Sequence, residues 1–183
     1  MADKNSPMAT VRHENAGWAL RFERVLAHPP EKVWRALTES EHLAGWMPCD
    51  IVGERREGAA IELPFWPEQV EKYGIEDPVL HGVVRAWDPP AVFEWTWDTD
   101  ILRWELEPLD DGTRTRLTFT TWLGPEDAGA ASAASGYHIC LDTLAEILDT
   151  GHADPLVDDE GAVERWRPRY AKAITDAAHA PTR

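Results

Sequence analysis

The sequence predicts an α+β domain in which a curved antiparallel sheet wraps around one long helix near the C-terminus. Short runs of alternating apolar and polar residues follow one another between residues 18 and 123, and this alternation is typical of half-buried strands. Apolar residues then recur at helical spacing from residue 127 to about 150. No other predicted helix is long enough to cover the apolar face of the sheet, so this helix is expected to lie across it.

A strand and two short helices are expected to open the domain. Residues 18–26 alternate between apolar and polar side chains, which indicates the first strand. Pro29 and Pro30 end that strand, and a helix over about 30–38 follows because proline fits a first helical turn. A second short helix ends at Pro48.

Further strand-like runs bring the predicted sheet to six or seven strands. They lie at about 51–54, 60–65, 79–87, 92–97, 101–109 and 115–123. The polar stretch 66–78 between two of them predicts a loop or lid. The segment 110–113, Asp-Asp-Gly-Thr, is typical of a hairpin turn.

The chain is expected to divide into a flexible arm over 1–16, the domain over 17–151 and a C-terminal helical extension over 152–183. Gly151 predicts the end of the long helix. The extension is amphipathic, and Pro168 should kink or divide it. It could pack on its own domain or on a partner subunit, so both a monomer and a homodimer are compatible with the sequence.

Composition disfavours several classes of partner. The net charge of −15 opposes binding to phosphate backbones and anionic membranes. No apolar run approaches the length of a membrane helix, and the N-terminus lacks a signal-peptide core, so we expect a cytoplasmic protein. The two cysteines form no CxxC pair and the seven histidines are scattered, so neither a metal site nor a cofactor is predicted.

Four segments resemble the family of homologues of the activator of heat-shock protein 90 ATPase, within the START-like, birch-pollen-allergen-like (SRPBCC) superfamily. The first is AHPPEKVWRALT at residues 27–38, followed by Leu43 and Trp46. The second runs from Gly82 to Trp95 and contains Asp-Pro-Pro, and the third runs from Leu106 to Thr120 and contains a Gly-Thr turn. The fourth is Gly136-Tyr137, followed by Leu141, Leu144 and Leu148. The resemblance implies a helix-grip fold with a cavity between sheet and long helix. Members of the superfamily include lipid and polyketide binders, cyclases and chaperone activators, so the fold does not define one function.

Two positions depart from the pattern of that family. Thr121 stands where its members often have histidine, and Tyr137 stands where they have tryptophan. The tail beyond Gly151 is also longer than usual.

Aromatic residues supply most of the candidate ligand contacts. Ten tryptophans are present, and Trp95, Trp97 and Trp104 fall on strand faces that could point at the long helix. There they would either line a cavity or fill it. The candidate ligand-binding residues are Trp46, Trp66, His81, Arg85, Trp95, Trp97, Trp104, Phe119, Thr121, Tyr137, Cys140 and Leu144.

His81 and Arg85 are the candidates for polar chemistry. Their spacing places them on one strand face together with Val83 and Trp87, unless a bulge before Asp88 reverses the face. If they point inward, Arg85 could bind a carboxylate or phenolate of the ligand, and His81 could transfer protons near neutral pH. If they point outward, both are solvated surface groups.

The sequence therefore predicts a protein that binds a small hydrophobic or aromatic molecule. It contains no G-x-S-x-G, P-loop or G-x-G-x-x-G motif, and no catalytic residue is assigned. An aromatase- or cyclase-type enzyme acting on a polyketide-like substrate and a chaperone ATPase activator or regulator are the alternatives.

Overall fold

The computed structural model describes residues 6–14, 17–124, 129–152 and 160–179. Its strands are β1 Thr10–Glu14, β2 Gly17–Leu26, β3 Val52–Gly53, β4 Ala60–Pro64, β5 Val79–Asp88, β6 Val92–Trp97, β7 Asp100–Leu109 and β8 Arg114–Trp122. Its α-helices are α1 Pro30–Thr38, α2 Ser40–Leu43, α3 Pro67–Tyr73, α4 Ala130–Thr150 and α5 Glu160–Ala178. Within these ranges, none of the helices combines the length and hydropathy needed to cross a membrane.

The strands form one antiparallel sheet in the order β1-β2-β8-β7-β6-β5-β4-β3. The predicted α+β helix-grip class is confirmed, with α1 and α2 after the first long strand and α4 as the long helix. The hairpin predicted at 110–113 joins β7 to β8, with Asp111 at φ 56° and Gly112 at φ 82°. Asp and Gly tolerate this left-handed backbone better than other residues do.

β1 lies in the segment expected to be a flexible arm. It pairs with β2, with Thr10 opposite Arg21 and Glu14 opposite Gly17. Four of its five residues are exposed, so the strand has no apolar alternation from which it could be predicted. Residues 1–5 and 15–16 of the expected arm lie outside the described residues.

α4 covers the inner face of the sheet, as predicted. Leu141, Leu144 and Leu148 are buried at helical spacing on this helix. Gly151 ends it in the left-handed conformation at φ 84° and donates its N–H to the Ile147 carbonyl at 2.8 Å. Residues 125–128, in which the predicted helix start falls, lie outside the described residues.

α5 packs against α4 and β1. Trp166 and Tyr170 are 3% and 0% exposed, which anchors the helix on its own domain. The helix continues through Pro168, where a kink or division was expected. Pro168 lies on the exposed side between these two anchors, so the backbone hydrogen bond lost at proline is outweighed by packing on both sides of it.

A chain of buried hydrogen bonds joins the N-terminal segment, α4 and α5. The Ala9 N–H donates to the Tyr170 hydroxyl at 3.0 Å, and that hydroxyl lies 2.7 Å from His138 Nδ1. His138 Nε2 lies 2.6 Å from Ser6 Oγ, which donates to Asp142 Oδ2 at 2.8 Å. One assignment of donors and acceptors satisfies every group in this chain of hydrogen bonds: the Tyr170 hydroxyl donates to His138 Nδ1, and the Nε2–H of His138 donates to Ser6 Oγ. We call these five residues the clasp.

The clasp requires a neutral imidazole. Burial lowers the pKa of His138 to about 3, and the positive charges of Arg24 and Arg169 act in the same direction. The His138 ring stacks on Trp166 with ring centroids 3.7 Å apart. Arg24 donates to Asp142 Oδ1 at 3.3 Å and to the Pro7 carbonyl at 2.8 Å, so it ties β2 to the same cluster.

Tyr170→Phe tests the clasp. The substitution leaves the Ala9 N–H and His138 Nδ1 buried without their partner, so we expect the free energy of unfolding to fall by about 1–3 kcal/mol. Urea denaturation followed by circular dichroism measures it. Tyr73→Phe is the matched control, because Tyr73 is 61% exposed and should change stability by less than about 0.5 kcal/mol. Equal effects of the two substitutions would contradict the role given to the clasp.

Candidate functional site

A cavity of about 510 Å³ lies at one end of the inner face of the sheet. α4 forms one wall, α3 and α5 border the opening, and the end of β6 contributes to the floor. The side chains that define its chemistry are Gln69, Tyr73, Trp97, Tyr137, Ile139 and Cys140. Its volume falls within the range of about 300–1,000 Å³ that small-molecule sites occupy.

Trp97, Tyr137 and Cys140 are the predicted site residues that line this cavity. Trp97 stacks on Trp95 with ring centroids 5.8 Å apart and an interplanar angle of 25°. Tyr137 and Cys140 are enclosed by protein on most sides, yet both stay partly accessible because they face the cavity.

The predicted loop over 66–78 contains α3, which borders the mouth of the cavity. Pro67 occupies the first turn of this helix and Gly74 ends it at φ 60°. Gln69 is 8% exposed and packs beneath the helix. The Trp66 indole donates to the Met47 carbonyl at 2.8 Å, so Trp66 anchors the start of α3 beside the cavity.

Four other candidate ligand contacts pack in the core beside the cavity. Trp104 stacks on Phe119 with centroids 3.9 Å apart, and Trp46 meets Trp104 edge-on at 5.6 Å. The Trp46 indole donates to the Ala36 carbonyl at 2.9 Å. Leu144 is fully buried on α4. These side chains fill much of the space under the helix and leave the cavity at the end nearest Trp97.

Trp95 and Thr121 are also fully buried, but each carries a polar atom without a partner. Trp95 Nε1 and Thr121 Oγ1 make no hydrogen bond to any described residue. An unsatisfied buried donor or acceptor costs about 1–3 kcal/mol. Trp95 pairs with Leu102, and Leu102 pairs with Thr121, so the two lie in one row across β6, β7 and β8.

Burial keeps the hydroxyl of Tyr137 protonated. It raises the pKa of Tyr137 above the ordinary value, and the negative charge of Asp100 raises it further. The nearby Thr121 hydroxyl lowers the pKa of Tyr137 and so offsets part of this rise. The two hydroxyl groups are nevertheless not placed well enough to form a hydrogen bond. Asp100 accepts a hydrogen bond from the Gly124 N–H at 2.8 Å.

His81 and Arg85 lie outside the cavity. Both are exposed, and Arg85 pairs with Glu94 on the outer face at 3.0 Å. The register of β5 and β6 shifts between Val84 and Ala86. This bulge separates Trp87, which packs inward on Phe93 at 5.1 Å, from His81 and Arg85 on the outer face.

The outer face carries a groove of about 550 Å³ lined by Ile101, Trp122 and the Arg85–Glu94 ion pair. It is slightly larger than the cavity. However, a ligand there would compete with an existing ion pair on an exposed sheet surface. The cavity offers apolar and aromatic walls, so its chemistry suits a small hydrophobic molecule better.

Possible metal ligands come together at one place among the described residues. Glu39, Glu41 and His42 have ligand atoms within 4.8 Å of one another near α2. All three are solvent-accessible, and His42 lies 3.4 Å from Glu39 in an ion pair. Exposed acidic groups commonly cluster in this way on an acidic protein, so the cluster identifies no site.

Several lining residues were not among the candidates from the sequence. Gln69 lies in a segment whose polar composition gave no signal of burial. Ile139 directly follows the clasp residue His138 on α4, and the helical pattern did not place it on the inner face. Val163 was recognised as apolar, but its position beside the cavity depends on how α5 packs.

Comparison with known proteins identifies the family. A family model described as activator of Hsp90 ATPase homolog 1-like protein matches residues 27–149. This segment runs from just before α1 to the end of α4 and is more than half of the chain. The chain belongs to this family. The resemblance of the four sequence segments is thereby confirmed, and no curated protein matches the chain.

Solved structures confirm the fold. A conserved protein of unknown function from Enterococcus faecalis has a TM-score of 0.75 and 23% identity, covering 92% of this chain and 91% of that one. CalU16 from Micromonospora echinospora, solved in solution, has a TM-score of 0.66 and 16% identity, with 98% of each chain covered. A Rhodobacter sphaeroides protein has a TM-score of 0.57 and 27% identity, covering 77% of this chain and 97% of that one.

The two thiols should react slowly in the folded protein. Burial raises the pKa of Cys140 to about 12 and also raises the pKa of Cys49. At pH 8 the thiolate fraction of Cys140 is then on the order of 10³-fold below that of an ordinary thiol. We expect alkylation of Cys140 by iodoacetamide to slow by about this factor relative to the urea-unfolded chain, measured by mass spectrometry. Equal rates in both states would contradict the enclosed position of Cys140.

Proposed function

We propose that this protein binds a small, uncharged, hydrophobic or aromatic molecule in the cavity bordered by α3, α4, α5 and the end of β6. One observation carries the proposal: aromatic and apolar side chains line a space of ligand size beside α3. Trp97 and Tyr137 offer ring surfaces against which a flat molecule could stack.

The size of the cavity sets the expected affinity. A ligand of two or three rings that buries about 400 Å² of apolar surface gains roughly 10 kcal/mol at about 25 cal/mol per Å². Part of this gain offsets the loss of translational and rotational freedom on binding. We therefore expect micromolar rather than nanomolar dissociation constants for simple apolar probes.

Electrostatics favour an uncharged ligand. The chain carries a net charge of −15, and the partly buried Asp100 lies close enough to Tyr137 to raise its pKa. An anion entering the cavity would meet this charge where screening by water is weak. Lys72 at the mouth is the one basic residue among the described lining residues.

The enzyme alternative loses its sequence-based candidates. An aromatase- or cyclase-type reaction would need groups that exchange protons with the bound substrate. His81 and Arg85 are exposed, with Arg85 on the outer face. The raised pKa of Tyr137 keeps its hydroxyl protonated, so it is a weak acid and no phenolate is available as a base. Binding without turnover is therefore the simpler proposal.

The chaperone-activator alternative rests on the description of the family and on surface acidity. Neither feature identifies a docking surface on this chain. The cavity is a specific structural feature, and it favours the small-molecule proposal.

Titration with N-phenyl-1-naphthylamine tests the proposal. This uncharged aromatic probe fluoresces more strongly in apolar surroundings, so we expect saturable enhancement with a micromolar dissociation constant. Gly136→Phe should weaken binding at least about tenfold, because Gly136 lines the cavity and a Cβ there meets nothing within 4 Å. Replacing a helical glycine also favours the helix, so the variant should remain folded.

Ser132→Phe is the matched control, since Ser132 is an exposed residue of the same helix. It should bind the probe like the wild type. If the wild type shows no enhancement up to the solubility limit of the probe, or if both variants bind equally well, the cavity is not the binding site and the proposal fails.

A further inference from the structure

We propose that the ligand carries a neutral oxygen acceptor, such as a ketone carbonyl, which accepts hydrogen bonds from the Trp95 indole N–H and from the hydroxyl of Thr121 or Tyr137 just beneath the lining of the cavity. This inference rests on the proposed function and specifies the chemical class of the ligand.

The positions of these groups follow from strand register. Trp95, Leu102 and Thr121 form one row on the inner face of β6, β7 and β8. Neighbouring strands lie about 4.8 Å apart, so the backbones of Trp95 and Thr121 are about 10 Å apart, a distance that two side chains and a ligand atom can span. Trp97, which lines the cavity, lies two residues along β6 on the same face.

α4 supplies the third group from above this row. Tyr137 lines the cavity, and its ring packs edge-on against Phe119 at 5.0 Å. Phe119 and Thr121 lie two residues apart on β8 and therefore share its inner face. The Thr121 hydroxyl is close enough to influence the ionisation of Tyr137.

The hydrogen-bonding capacity of the three groups indicates an acceptor. An indole N–H can only donate, whereas a hydroxyl can donate or accept. Trp95 Nε1 and Thr121 Oγ1 have no hydrogen-bond partner in the described part of the chain. A carbonyl oxygen has two lone pairs and could accept from Trp95 and from a hydroxyl together.

A neutral acceptor fits better than an anion. The hydroxyl of Tyr137 stays protonated and able to donate because burial raises its pKa. A carboxylate at this place would approach Asp100, whose charge already affects Tyr137. A ketone avoids this repulsion and still accepts hydrogen bonds.

Other buried polar atoms do not show the same pattern. Arg24 Nε and Arg55 Nη1 also have no partner among the described residues, but each belongs to a guanidinium that makes other hydrogen bonds. Trp18 Nε1 is unpaired as well, and Trp18 lines the groove that includes the Arg85–Glu94 pair. Trp95 and Thr121 are distinct in being unpaired beside residues that line an apolar cavity.

The test compares two probes with the same ring skeleton, 1-tetralone and tetralin, which differ by one carbonyl oxygen. Both are measured by displacement of N-phenyl-1-naphthylamine. Burial of apolar area alone predicts that tetralin binds at least as tightly as 1-tetralone. Hydrogen bonding to the unpaired donors predicts the reverse order, with 1-tetralone favoured about tenfold.

Thr121→Val replaces a hydroxyl by a methyl group of similar shape, and Trp95→Phe removes the indole N–H together with two ring carbons. Each should reduce the preference for 1-tetralone severalfold and leave tetralin binding unchanged or tighter. Thr120→Val is the matched control on the outer face of the same strand and should preserve the preference. The readout is the ratio of the affinities for 1-tetralone and tetralin. A variant that only loses stability would weaken the binding of both probes alike and leave this ratio unchanged.

The outcomes separate this inference from the proposed function. If N-phenyl-1-naphthylamine binds but tetralin competes as well as 1-tetralone, or the variants keep the preference, the polar recognition is overturned and the cavity proposal stands. If tetrahydronaphthalene-1-carboxylate binds more tightly than 1-tetralone, the neutral acceptor is wrong. If no probe binds, both proposals fail.

Discussion

The position of α4 above the sheet is the constraint on which the rest of the structure depends. His138 and Asp142 lie one helical turn apart and form the clasp with the N-terminal segment and α5. Tyr137 and Cys140 lie on the side of the same helix that faces the cavity. A buried hydrogen-bond network is costly to break, so the clasp orients the helix and thereby fixes which side chains line the cavity.

One part of the inner face of the sheet packs as solid core, and another part borders the cavity. Trp104 and Phe119 stack closely and make a solid core, whereas Trp97 borders open space. The row of Trp95 and Thr121 lies between these regions, and its unpaired polar atoms would destabilise an ordinary core. We interpret this row as the place where the core ends and ligand recognition begins.

Elements with strong local signals could be predicted from the sequence. The proline at the start of α1, the Asp-Gly turn at 110–113 and the apolar spacing of α4 each act over a few residues. β1 and α3 were missed because both are polar segments stabilised by tertiary contacts. A bulge is a one-residue event in the backbone, so the sequence alone could not decide whether His81 and Arg85 point inward. Nor could alternation distinguish Trp95 from Trp97, which share one strand face and differ only in how the helices pack above them.

Intermolecular NOEs between bound N-phenyl-1-naphthylamine and selectively methyl-labelled isoleucines give the most direct test of the binding site. Ile139 lines the cavity, whereas Ile101 lines the groove on the outer face. The position of α4 described here predicts NOEs from the probe to the Ile139 methyl group and none to Ile101. NOEs confined to Ile101 would place the ligand on the outer face and contradict the account.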